Sequence, residues 1–135
     1  MTDPQWERVV PDPTRYWLPN PAASPGARFE DLIFVSGQVA RDSSGALVGK
    51  GDVVAQLHQV LDNVASVLEA AGATLADIIK LTSYLVDPAD LRPMLEARRE
   101  RFAGRVPPSA SVIVQALPDP DWLVEVDAIA VRRRP

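Results

Sequence analysis

The clearest periodic signal in the chain runs from Asp52 to Gly72, where Val53, Leu57, Val60, Leu61, Val64, Val67 and Leu68 recur at helical spacing. Asp52 stands at the start as an N-cap and Gly72 at the stop, so the pattern predicts an amphipathic helix of about 20 residues, about 30 Å long. A second, more charged helix is predicted from about Ala89 to Phe102. Asp87 or Asp90 is its cap, and Pro93 lies in the first turn, where a missing N–H is tolerated. Elsewhere the pattern is strand-like. DLIFVSGQVA (Asp31 to Ala40) is a β-branched and aromatic run interrupted by Gly37, and RDSSGALVG (Arg41 to Gly49) adds turn residues and a short apolar piece, which together predict a hairpin. Ile78 to Val86, Val106 to Val114 and Leu123 to Val131 predict three more strands, and Trp6 to Val10 a short edge strand.

Two helices and about five strands predict an α+β fold: an antiparallel or mixed sheet with both helices on one face. In the last strand Val124, Val126, Ala128 and Ala130 make one face wholly apolar. The other face mixes Leu123, Ile129 and Val131 with the acids Glu125 and Asp127. A sheet this small with apolar residues on its uncovered face is a candidate for self-association.

Composition narrows the class. At 135 residues, 47% of them hydrophobic and 24% charged, the chain is expected to form one domain over residues 1–135. A proline-rich leader over residues 1–25 (Pro4, Pro11, Pro13, Pro19, Pro21, Pro25) is expected to be part of it. No apolar run reaches the roughly 18 residues of a membrane span, and the N-terminus is acidic and polar, so a soluble cytoplasmic protein without membrane contact is expected. The absence of cysteine excludes thiol catalysis, disulfides and cysteine-ligated metals. The single histidine, His58, falls at the boundary of the first helix's apolar stripe, so neither a metal site nor a serine–histidine site is expected on it. A net charge of −4 and a pI near 4.9 argue against binding nucleic acid, and the Arg132, Arg133, Arg134 run reads as a solvated end.

Candidate chemistry concentrates in three places. Glu125 and Asp127 share one strand face, about 7 Å apart. Such a pair can orient water or exchange a proton, because a partly buried acid beside a like charge holds its proton more tightly; on a solvated face it is only polar surface. Ser36 ends an apolar strand next to Gly37, where a ligand can approach closely, although FVSGQ lacks the glycine before the serine that a nucleophile elbow needs. Arg92, Arg98, Arg99 and Arg101, interleaved with Glu96 and Glu100, read as a surface ion-pair lattice in which one arginine could instead face an anion.

FVSGQ, GDVVAQLHQVLDNVASVLEAAGATLADIIKLTSYLVD and VPPSASVIVQALPDPDWLVEVDAIAV, in that order, resemble the Rid family, also called the YjgF or reactive intermediate deaminase family, over about Asp31 to Arg132. The resemblance implies a chorismate-mutase-like fold. In it three copies associate around a β-barrel-like centre, with small-molecule pockets at the subunit interfaces. It also implies hydrolysis of small enamines or imines to ketoacids and ammonia with no metal or organic cofactor. By that resemblance Glu125 holds the attacking water, and Ser36 and Gly37 contribute to substrate binding. The family's pocket asparagine aligns with Leu95, its pocket tyrosine near Ala23, and its carboxylate-gripping arginine, in a Pro-x-Arg-Ser stretch, with Ala110 beside Ser111. Loss of that guanidinium removes the usual anchor of a 2-iminoacid and implies an altered pocket. Arg92, Arg98 and Arg105 stand as possible replacements. The alternative is a non-catalytic trimer that binds a small ligand or docks on a partner. Ribonuclease activity, also attributed to the family, fits poorly with the acidic pI.

Overall fold

The computed structural model describes residues 2–17 and 22–135. Pro19 and Pro21 of the leader lie outside the described residues. Six strands, β1 (Glu7–Val9), β2 (Gly26–Phe29), β3 (Leu32–Gln38), β4 (Ile78–Leu85), β5 (Ser109–Ile113) and β6 (Val124–Val131), form one sheet in the order β1-β2-β3-β6-β4-β5. Every pairing is antiparallel except β4 with β5, so the sheet is mixed. Two helices, α1 (Val53–Ala70) and α2 (Leu91–Arg101), complete the α+β architecture.

The predicted first helix forms almost as its spacing dictates. Asp52 accepts from the N–H groups of Val54 and Ala55, satisfying two of the donors a helix start leaves free, and Gly72 ends the element at φ +86°. Leu57, Val60, Leu61, Val64, Val67 and Leu68 are fully buried against Ile33, Leu81, Leu85, Val124 and Ala130. The second helix begins later than expected. Asp87 caps a short 3₁₀ turn, Pro88–Asp90, and the α-helix proper starts at Leu91.

One expectation is corrected. The hairpin is not Asp31–Ala40 with Arg41–Gly49. That second stretch forms no strand: its isolated bridge, Arg41 with Leu47, is internal to it, and it meets the first through Val48, whose N–H donates to the Ala40 carbonyl. β3 pairs instead with β2, through a tight turn in which Glu30 adopts φ 54°. Gly26 permits this pairing: a β-carbon there would stand 2.7 Å from Val67 Cγ1 and 2.9 Å from the Phe34 carbonyl oxygen. The arginine end is solvated, as expected, with Arg133 and Arg134 exposed, and it is also tied down: Arg132 and Arg134 both pair with Asp31 and Arg133 pairs with Asp77.

The alternation in β6 sorts the sheet into two faces. Val124, Val126, Ala128 and Ala130 are buried, whereas Glu125, Asp127 and Ile129 are only partly covered. By register Phe34 and Leu32 of β3 and Tyr84 and Thr82 of β4 share that less covered face. Phe34, Leu32 and Val131 are 43%, 36% and 37% exposed on it, and Val112 of β5 joins them at 40%. An apolar face open to this extent on a small domain is a surface suited to association. No helix among the described residues is long and apolar enough to cross a membrane.

Candidate functional site

The register of β3 against β6 shifts between Val35 and Gln38, so Ser36 and Gly37 together face the single residue Asp127. An extra residue of this kind bends a strand and re-aims its neighbours, and such bulges often stand beside sites of chemistry. Ser36 donates its hydroxyl to the Pro25 carbonyl at 2.9 Å, and its amide donates to the same oxygen at 3.0 Å, fastening the bulge to the leader. Gln38, buried, turns inward: its Nε2 donates to the Ser36 carbonyl, and its Oε1 accepts from the Tyr16 hydroxyl at 2.8 Å. Burial raises the Tyr16 pKa, so this hydroxyl stays a donor at neutral pH.

Glu125 lies against the bulge. A β-carbon on Gly37 would stand 2.9 Å from the Glu125 carboxyl carbon and 3.0 Å from Oε1, closer than side chains tolerate, so the absence of a side chain at position 37 is what lets the carboxyl rest there. Desolvation raises the Glu125 pKa, and the nearby Asp127 charge raises it further. Asp127 is occupied, accepting from the Tyr84 hydroxyl at 3.0 Å. The two acids are therefore unequal: one is hydrogen-bonded, the other holds its proton more tightly and faces open space.

That space is a cavity of about 190 Å³ lined by Tyr16, Trp17, Ala23, Ser36, Gly37, Gln38, Val39, Arg41, Asn63, Trp122 and Glu125. Two buried amides of α1 position the lining loops. Gln56 donates to the Gly49 and Asp121 carbonyls and accepts from the Leu123 N–H, which clamps the residues on either side of Trp122. Asn63 donates to the carbonyls of Val39 and Arg41 at 2.9 and 2.8 Å, fixing the chain that leaves β3. Buried amides bonded to loop backbone on this scale are structural ties, since their polar atoms would be costly unpaired.

Of the sequence-predicted positions, Glu125, Ser36 and Gly37 meet in this cavity, and Ala23 lines it as well. Leu95, Ala110 and Ser111 do not. Leu95 is 38% exposed on α2, and Ala110 and Ser111 lie on the edge strand β5. Ala110 pairs with Thr82 on the less covered face, whereas Ser111 pairs with the buried Ser83 and belongs to the opposite face. Arg98 is buried beneath β4 and β5, donating to Ser83 Oγ and Ser109 Oγ, with Nε unpartnered. Arg92 pairs with Glu96 on the surface, and Arg105 lines a separate groove near Pro107 and Pro108. None of the three lines the Glu125 cavity. His58 sits 3.3 Å from Arg101, which also pairs with Asp62 one turn further along α1. Among the described residues no group of three or more acids and histidines is arranged to hold a metal ion.

Sequence reasoning missed Trp17, Arg41, Asn63 and Trp122. Asn63 belonged to the quoted helix pattern, but its role depends on a carbonyl pair 22 and 24 positions away. The Arg41 guanidinium carbon lies over both indoles, 4.4 Å from the Trp17 ring centroid and 4.9 Å from that of Trp122. Gly45, at φ +86°, gives Trp17 its place, since a β-carbon there would meet the indole nitrogen at 2.6 Å.

Comparison with known proteins follows the same outline. A family model described as Endoribonuclease L-PSP matches residues 19–132. The chain is 40% identical over 102 residues to the RutC family protein PH0854 of Pyrococcus horikoshii, covering 76% of this chain and 80% of that protein. It is 35% identical over 109 residues to the 2-iminobutanoate/2-iminopropanoate deaminase of Mus musculus, covering 81% and 80%. The crystal structure of the E. coli YjgF gene product superimposes with a TM-score of 0.82 at 30% identity, over 94% of this chain and all of that one.

Proposed function

The chain belongs to the Rid/YjgF family, and from that premise we propose that it hydrolyses a small imine or its enamine tautomer to a carbonyl compound and ammonia, with Glu125 as the proton-transfer residue. The observation that carries this reading is the Glu125 carboxyl packed on Gly37 at the wall of a cavity, its pKa raised by desolvation and by Asp127. A carboxyl whose pKa is raised in this way holds and returns a proton more readily than an ordinary glutamate. The name borne by the murine relative supports the same class of substrate.

The chemistry closes without an added reagent. Water attacks the imine carbon as ionised Glu125 takes one of its protons, and the imine nitrogen takes a proton from solvent, giving a carbinolamine. Glu125 then returns its proton to nitrogen, the C–N bond breaks, the hydroxyl proton is lost to solvent or base, and C=O forms. The net change is C=NH plus H₂O to C=O plus NH₃. Ser36 and the Gly37 backbone line the substrate's side of the cavity, and no metal or organic cofactor is required for these steps.

The working unit we propose is a homotrimer of chorismate-mutase-like subunits closed around the less covered sheet faces, as the exposed Leu32, Phe34 and Val112 favour. In it Leu95 and Ala110 of one copy would complete the cavity of another. The test is ammonia release from 2-iminoacids and neutral imines generated in place by an amine or amino-acid oxidase. Glu125→Gln should lower the rate at least 100-fold. Equal rates for the two proteins, with saturable ligand binding in both, would instead support the non-catalytic ligand-binding trimer.

A further inference from the structure

The missing guanidinium on β5 leaves the pocket without its expected anion anchor, yet the cavity is not without a cation. Arg41 lines it together with Glu125. Its guanidinium lies 4.4 Å and 4.9 Å from two indole centroids, and among the described residues no hydrogen bond or ion pair engages it. Every other arginine discussed above is paired, buried in serine contacts or remote from the cavity.

We propose that Arg41, seated on Trp17 and Trp122, is the residue by which this pocket selects a ligand carrying a carboxylate; this rests on the reading of the cavity as the substrate site. A guanidinium stacked on aromatic faces satisfies its π surface while keeping its N–H donors, which lie in the plane of the group, for a bidentate contact with a planar anion. The indoles also displace water from the cation, which strengthens its attraction for an incoming charge. The backbone that carries Arg41 is held, because its carbonyl accepts from Asn63 and it bridges Leu47. Glu125 does not consume the positive charge: no ion pair joins the two, and only desolvation and Asp127 govern that carboxyl. Anchor and proton-transfer group are thus separate members of one cavity. At about 190 Å³, the space of roughly six waters, it suits a ligand of a few heavy atoms.

The experiment is calorimetric titration of the purified assembly with pyruvate and with its neutral isostere pyruvamide, beside ammonia release from acidic and neutral imines. The native protein should bind pyruvate at least tenfold more tightly than pyruvamide, and Arg41→Met should abolish that preference by weakening pyruvate far more than pyruvamide. Arg41→Lys, which keeps the charge but loses the planar fork, should bind pyruvate several-fold more weakly than the native protein, and it serves as the readout if the methionine variant does not fold. Undiminished pyruvate preference in a folded Arg41 variant, or no preference in the native protein, overturns the assignment. The two readings fail separately. Loss of the pyruvate preference in Arg41→Met bears on the anchor, whereas persistence of turnover with no role for Arg41 leaves the proposed hydrolysis standing alone.

Discussion

A β-carbon added to Gly37 would stand 2.9 Å from the carboxyl carbon of Glu125, so these two residues meet only because one of them has no side chain. Gly37→Ala should therefore push Glu125 away from the bulge. Since a misplacement of about 1 Å can cost about 100-fold in rate, kcat/KM for imine hydrolysis should fall by about that factor. Circular dichroism should show an unchanged fold, because position 37 is exposed. Native activity in the alanine variant would mean that the contact has no catalytic role.

The raised Glu125 pKa gives two pH signatures. The acid limb of the kcat/KM profile should lie above the range of an ordinary glutamate, near 4.3, and Asp127→Asn should move it downward by removing a neighbouring negative charge. A limb that does not respond to Asp127→Asn would assign it to another group.

Stability should carry the same imprint. Folded Glu125 keeps its proton to higher pH than the unfolded chain does, so between the ordinary and raised values the folded state binds more protons and stability falls as pH rises. Glu125→Gln should accordingly unfold at higher urea than the native protein at pH 7, with the gap closing below about pH 4. A gap that stays constant with pH would show that the gain comes from packing and not from charge.

Gln56 is fully buried and makes three hydrogen bonds, of 3.1, 2.9 and 2.8 Å, to the backbone of two loops. Gln56→Ala strands the Leu123 N–H and two carbonyls, and should cost about 3 kcal/mol in urea unfolding. Trp122 fluorescence should shift to longer wavelength as its loop loosens. A loss under about 0.5 kcal/mol would show that water replaces the amide without penalty.

The open sheet face makes an independent prediction. Phe34→Asp places a charge where an apolar partner is expected, and light scattering should show the proposed trimer reduced to single chains. A native protein that already runs as a monomer would remove the proposed assembly.

Much of the fold was legible because local rules set it. The apolar spacing of α1, its Asp52 cap and its Gly72 stop act within one element, and the alternation in β6 sorts its residues between two faces without reference to the rest of the chain. The hairpin was misplaced because strand pairing is not local. Gly26–Phe29 follows a proline-rich stretch with little strand character of its own, and it becomes a strand through β3 on one side and β1 on the other. The cavity was half legible. Glu125, Ser36 and Gly37 could be marked from their strands, but their convergence depends on the bulge in β3, where an added residue leaves no periodic trace.

By itself the sequence determined the two helices, most of the strands and the uncovered apolar face, since each follows from residue type and spacing; spacing marked the Glu125 and Asp127 pair, and the resemblance to a family singled out Glu125. Only the tertiary structure decided which cation joins that acid. Arg41, Trp17 and Trp122 come from three separate stretches, and both indole centroids are brought within 5 Å of the guanidinium through loops held by Gln56 and Asn63 and a glycine at position 45. A contact made through loop backbone depends on where distant carbonyls end up, and no pattern of hydrophobic and polar positions encodes that.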